Sequence, residues 1–474
     1  MIDNGFVYHE VDFLFPAQKF NIQYSYVSKK GLSFVREYVL RLVHLAPVSR
    51  SQISKYFGMS RGETNEAIGD LIERGELTLS QQGKLVLTRK AAGYFSEIGE
   101  SPKLSNIQDS SVTLSFDLAT FTCVEQSRTR EQWKAGLFPD IDNTNISQSE
   151  KVAEKEFQLQ FEEILDKGYL RRIDLNDPTE RPTVYTVDSV AGLAKFPFRL
   201  KTQFKMDMNG GALERDDYEQ IGDSRIIHEL TTPELSRNLK SENVLSIAKA
   251  MVRIGDTKTM DIIDSDSDLI SPQRLDALKS VEDSGAKSES TTFIGPIYSP
   301  DNWGRLQDRL APILASSNST KTHEIGNFTW IAPSDAFWGK SDRFIASVDQ
   351  FLSRANTKNK HLYKPALYLP VTDAQDSRGA KRWLNELQGY QKHTYGLAEG
   401  FLDGNVEIML LKGNLAVVIY HYVQPSKFPV PIPVGFITTE KKELESIGAY
   451  VYGYLKGMSS HEKPNDCGPI SSIG

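Results

Sequence analysis

The chain has 474 residues, 39% hydrophobic and 25% charged, with a formal net charge of −7 at pH 7. That length can bury a sizeable core and is expected to divide into about three domains, and no apolar run is long enough to cross a bilayer as a helix. Two cysteines, Cys123 and Cys467, lie too far apart for a zinc cluster of their own or a secreted disulfide framework. With no basic stretch in Met1–Phe6 to open a secretory signal, the expectation is a cytoplasmic protein with no membrane partner and no cofactor.

The first readable element begins near residue 31. Phe34, Tyr38 and Leu42 recur every four residues with Val35, Val39 and Val43 beside them, the apolar stripe of a core-facing helix. Pro47 ends that run, and Ser49 is placed to cap a short second helix carrying Ile53, Tyr56 and Phe57. Gly58 supplies a tight turn. Ser60 then caps a third helix, with Glu63 completing a capping box. Ala67, Ile68, Leu71 and Ile72 form the inner side of this helix, and Gly75 closes it. Leu77–Leu79 and Leu85–Leu87 read as two short strands around the turn 80–83, and residues 89–98 read as a closing helix.

Three helices followed by a hairpin resemble a winged helix-turn-helix, and the resemblance implies double-stranded DNA as a partner. The exposed start of the third helix would enter the major groove. The candidate DNA-binding residues are therefore Arg61, Thr64 and Asn65 on that helix, with Gln81, Gln82 and Lys84 on the wing. Arg and Asn can make bidentate contacts to guanine and adenine edges. Residues 29–98 hold 11 Lys/Arg against 7 Asp/Glu, a local net of +4 in an acidic chain, and phosphate binding needs a patch rather than a basic protein.

The remainder divides at polar stretches. Residues 1–98 are taken as the winged helix with an N-terminal extension, 99–111 as a linker, 112–225 as an α+β middle domain and 226–460 as an α/β domain with a mixed sheet. The middle region is expected to hold a strand at 112–116, a long helix near 148–167 and strands at 183–187 and 196–204. Beyond it, strands near 293–298, 328–332, 362–371, 406–411, 415–422 and 434–437 alternate with helices. The overall expectation is an α+β and α/β multidomain protein.

Local motifs in this part lack essential members. Gly339-Lys340-Ser341 has Ser334 where a phosphate-binding loop needs glycine, so Ser341 is expected to be a helix cap. Asp264, Asp266 and Asp268 lack the glycine and glutamate of a calcium loop, with Leu269 and Leu275 in their places. His421, among Tyr420, Tyr422 and Val423, is expected to be a satisfied, half-buried imidazole.

Residues 340–457 run helix, strand, long helix, the strand pair 406–411 and 415–422, Pro433-Val434-Gly435-Phe436 and a final helix. This order resembles one half of a phospholipase D-like domain. Active members carry His-x-Lys followed by an aspartate, the histidine attacking phosphorus and the lysine steadying the phosphate oxygens. Here residues 413–418 hold neither. The chain's His-x-Lys, His461-Glu462-Lys463, lies in the tail, with Asp466 following too soon. The resemblance implies a nucleic-acid-related scaffold without its catalysis.

Two function classes follow. One is a non-catalytic DNA-binding or adaptor protein that targets a larger bacterial assembly with protein partner subunits, in phage defence or DNA maintenance, or acts as a transcriptional regulator. The other is a nuclease or phosphodiesterase assembled from dispersed residues, for which His228, Glu229, His323 and Glu324 are candidates.

Overall fold

The computed structural model describes residues 5–31, 34–95, 103–125, 135–141, 146–171, 173, 181–264, 269–271, 273–274, 289–319, 326–357, 360–457 and 464–473. Its organising element is a strand absent from the sequence expectation: β1, Phe6–Gly31, 26 residues long. At about 3.3 Å per residue such a strand extends roughly 85 Å. It pairs antiparallel with β4 (Lys103–Asp117) over residues 17–31 and with β6 (Thr183–Met206) over residues 6–27, in a sheet of order β5-β4-β1-β6 whose outer strand β5 is Cys123–Val124.

Gly31 is paired with Lys103, so the chain leaves the sheet at its far end and re-enters beside the point of departure. The segment between them, residues 34–95, is carried at the tip of a β-arm. The first 98 residues therefore do not form one unit. The expected extension is the central strand of the middle region's sheet, and part of the expected linker is β4.

β1 serves two cores on opposite faces. Val11, Phe13, Phe15 and Ala17 enter the core shared with the C-terminal region, whereas Phe20, Ile22, Tyr24 and Tyr26 enter a separate one. Successive side chains of a strand alternate faces, so the change from odd to even numbers moves the buried face across the sheet. The register from His9 to Val27 absorbs its irregularities on β6: between Gln18 and Phe20 the partner advances from Lys195 to Gly192. Helices α5 (Ser149–Leu159) and α6 (Phe161–Asp166) cover the distal core with Ala153, Phe157, Phe161 and Ile164.

The second sheet has eight strands. In spatial order they are β14 (Asp466–Pro469), β10 (Thr394–Ala398), β9 (Lys364–Val371), β8 (Asn327–Ile331), β11 (Val406–Leu411), β12 (Leu415–Tyr422), β13 (Ile432–Thr438) and β7 (Ser290–Ile294). Only the run β8-β9-β10 is parallel; the other pairings are antiparallel. The sheet is thus mixed through its middle. β12 shows why its strands read as unbroken apolar runs: Leu415, Val417 and Ile419 face one core, Ala416, Val418 and Tyr420 the other, as expected where both faces are covered.

Helices α9 (Pro300–Ser319), α10 (Asp342–Ser353) and α11 (Ser377–Glu386) cover the first face. Helices α7 (Ser224–Asn238), α8 (Val244–Ile254) and α12 (Lys441–Lys456), with the base of the arm, cover the second. Among the described residues no helix is long and apolar enough to cross a membrane.

Candidate nucleic-acid interface and a buried charge cluster

The tip is built as its local chemistry demands. Helices α1 (Phe34–Leu45), α2 (Arg50–Phe57) and α3 (Arg61–Glu73) precede the hairpin β2 (Leu77–Leu79) and β3 (Leu85–Leu87) and a short helical turn, α4 (Arg89–Ala92). Ser49 and Ser60 each accept a hydrogen bond from the backbone N–H three residues on, and Gln52 and Glu63 accept from the cap N–H in return. Both boxes satisfy donors that a helix start leaves unpaired. Gly58, at φ +65°, ends α2 in the left-handed conformation that glycine adopts most cheaply. Val48 exchanges backbone hydrogen bonds with Leu85, at 3.3 and 2.8 Å, forming an isolated β-bridge beside the two-stranded hairpin.

Val39, Leu40, Val43, Ile53, Ile68 and Leu71 form the small core beneath these elements. Two expected members of the α1 stripe, Val35 and Tyr38, are instead exposed. The closing helix, expected over 89–98, ends at Ala92, and residues 96–98 lie outside the described residues. Arg36 crosses to Glu76, whose side chain is buried, with Nε donating to Oε2 at 2.9 Å, and Tyr94 donates to the same carboxylate.

Of the six expected contact residues, Arg61, Asn65, Gln81, Gln82 and Lys84 are exposed. Asn65 Oδ1 accepts from Arg50 at 3.1 Å, while Arg61 and Lys84 have no ion-pair partner among the described residues. Thr64, the sixth, is buried instead. It is only 2% exposed, and its hydroxyl donates to the Ser60 carbonyl at 2.8 Å. The third-helix spacing that brings Arg61 and Asn65 outward turns Thr64 inward.

A second concentration of charge lies inside the molecule. His421 on β12 places Nδ1 2.8 Å from Asp335 Oδ2 and Nε2 3.3 Å from Glu407 Oε2. Glu407, on β11, also accepts from Trp330 Nε1 at 2.7 Å, and Asp335 accepts from the Phe337 N–H. The exposures of His421 and Glu407 are 3% and 0%. A ring with a carboxylate at each nitrogen donates to both only as the imidazolium. Burial by itself lowers the pKa of His421, but the two hydrogen bonds and charges outweigh it and raise it to about 9. Asp335 is held below the usual carboxylate range: its hydrogen bond and charge contact with His421 overcome burial.

His9, from the base of β1, is buried near this group. Burial, assisted by the charge of His421, lowers its pKa to about 4, and its Nε2 has no hydrogen-bond partner among the described residues. The imidazole of His421 is therefore more buried, and more firmly charged, than expected from sequence.

Beside the cluster, Asn243 Nδ2 donates to Asn405 Oδ1 at 2.9 Å and to the His421 carbonyl at 2.8 Å, and Ser246 donates to Asp403. Leu402 and Asp403 have φ of +46° and +57°, a conformation costly for residues with a Cβ. This network borders a polar cavity of about 840 Å³.

The remaining motifs resolve plainly. Ser341 caps α10, accepting from the Arg343 N–H. Lys340 is buried and its Nζ lies 2.6 Å from Glu386, so it is not free to hold a phosphate. Glu229 pairs with Arg225 at 2.9 Å, and His228 lies 3.8 Å from Asp217 on the surface of α7. Asp466 accepts from Tyr368 Oη at 3.0 Å. Asp266, Asp268, Leu275, His323, Glu324 and the His461–Lys463 motif lie outside the described residues. Among those described, no group of three or more His, Cys, Asp or Glu side chains is arranged to hold a metal ion.

No protein-family model matches the chain, and no curated protein matches it.

Proposed function

We propose that the protein is a DNA-binding adaptor without catalysis of its own, in which residues 34–95 act as a winged helix-turn-helix on double-stranded DNA. The observation that carries this reading is the pairing of two exposed elements: the start of α3 with Arg61 and Asn65, and the hairpin turn with Gln81, Gln82 and Lys84. Exposed cations that form no ion pair among the described residues can exchange counterions for phosphates, while Asn and Arg can read base edges. The long arm favours an adaptor, because it carries the module away from a second region large enough to dock protein subunits. Such a subunit would bring a bacterial assembly, of the kind used in phage defence or DNA maintenance, to its DNA, or would regulate transcription.

A nuclease centred on His421 is disfavoured. Its ring nitrogens are both occupied by carboxylates, and it is sealed from water, whereas a general base must reach the proton it abstracts.

The test is a duplex-DNA mobility shift with the full chain at several salt concentrations. Arg61→Ala combined with Lys84→Ala should weaken binding by about tenfold or more. Unchanged affinity would remove the interface described here. Cleavage of DNA or RNA by the pure protein, lost in His323→Ala, would favour the enzymatic alternative.

A further inference from the structure

The last helix, α12, and the turn joining β11 to β12 enclose a groove of about 450 Å³, within the size range of small-molecule sites. Leu410 and Leu444 give it an apolar floor, and Tyr452 forms part of its wall. Gly448 also lines it. A Cβ built there meets nothing within 4 Å, and the residue has no positive φ. A glycine inside a helix costs roughly 0.5–1 kcal/mol relative to alanine. Here neither backbone geometry nor a neighbouring atom requires it, and what it provides is room beside the groove.

The charges around the opening are unbalanced. Lys412, Lys441 and Lys456 line it with one carboxylate, Glu445. None of the three lysines makes an ion pair among the described residues, and Lys412 Nζ sits 5.3 Å from the centre of the Tyr452 ring. An apolar floor and a cationic rim together describe a receptor for a molecule that is apolar at one end and anionic at the other.

We propose that this groove binds a small organic anion, its aromatic or aliphatic body against Gly448 and Tyr452 and its phosphate or carboxylate head at the lysine rim. The inference stands apart from the DNA reading, since none of these residues belongs to the tip.

Calorimetric titration of the full chain with ADP, and separately with decyl phosphate below its micellar concentration, tests it. At least one probe should bind with one-to-one stoichiometry and a Kd below about 1 mM, and the one that binds distinguishes a nucleotide from an acyl-type ligand. Gly448→Leu, which fills the groove, should weaken that binding about tenfold or more while leaving the thermal midpoint unchanged or higher. Lys441→Glu with Lys456→Glu should do the same by charge, and serves alone if the leucine variant fails to fold. Absence of binding by both probes, or equal affinity in wild type and variants, overturns the proposal.

Discussion

The tip of the arm and the interior of the eight-stranded sheet are both rich in charge, yet they handle it in opposite ways. At the tip, Arg61 and Lys84 are exposed and form no ion pair among the described residues; in water an unpaired charge costs little and remains available. Inside the sheet, His421, Asp335 and Glu407 are withdrawn from solvent and engage one another. Burying charge is tolerated only when it is paired and hydrogen-bonded, and once so paired it has no capacity left for a ligand. Perturbed titration often marks a functional centre. In this molecule the strongly perturbed histidines mark a structural joint between β1 and the sheet.

This contrast can be broken in several ways. The largest expected effect is on His421→Leu, which strands Asp335 and Glu407 as buried carboxylates. Removing one partner of a buried ion pair typically costs about 3–5 kcal/mol, so denaturant unfolding should show a loss of that order. The fraction still folded should bind DNA as before. A variant as stable as wild type would show that the cluster does not hold the sheet together.

Next is pH. His421 binds its proton more tightly when folded, with a pKa of about 9 against an ordinary 6.5. Its contribution is therefore complete below pH 6.5 and is lost as pH rises through about 9, on the order of 3 kcal/mol in all. His9 runs the other way. Lowered to about 4, it favours the fold above pH 6.5 and costs stability as pH falls toward 4. Unfolding free energy followed across pH 4–10 should decline on both sides, and His421→Leu should remove the alkaline decline. A decline of equal size in that variant would place its origin elsewhere.

A smaller pair of substitutions separates inward from outward residues on one helix. Thr64→Val removes the hydroxyl that donates to Ser60 and should cost about 1 kcal/mol of stability with no change in DNA affinity. Asn65→Ala should leave stability nearly unchanged and relax discrimination between DNA sequences. The reverse pattern would mean that α3 presents a different face.

The two regions also differ in how far they can be read from sequence. The tip is almost wholly legible because its determinants are local: Ser49, Gly58 and Ser60 mark helix ends by interactions spanning a few residues, and only side-chain orientation, as for Thr64 and Tyr38, needs the packed core. β1 is harder to recognise. Its apolar alternation changes parity between Ala17 and Phe20, and only two separate cores on opposite faces give that change a meaning. The parallel partner β10 and the edge strand β14 are short, and their pairing is determined at a distance.

The cluster brings together residues 86 and 14 positions apart, so no motif announces it. One signal existed. Glu407 pairs across the hairpin with Ile419, which places His421 two positions along on the same face, within reach of a cross-strand contact.

The most direct measurement is photo-crosslinking of the full chain to duplex DNA, with adducts located by mass spectrometry. Adducts concentrated at the start of α3 and in the turn between β2 and β3, diminishing in Arg61→Ala with Lys84→Ala, are the expected result. Adducts confined to the eight-stranded region and unaffected by those substitutions would contradict the account.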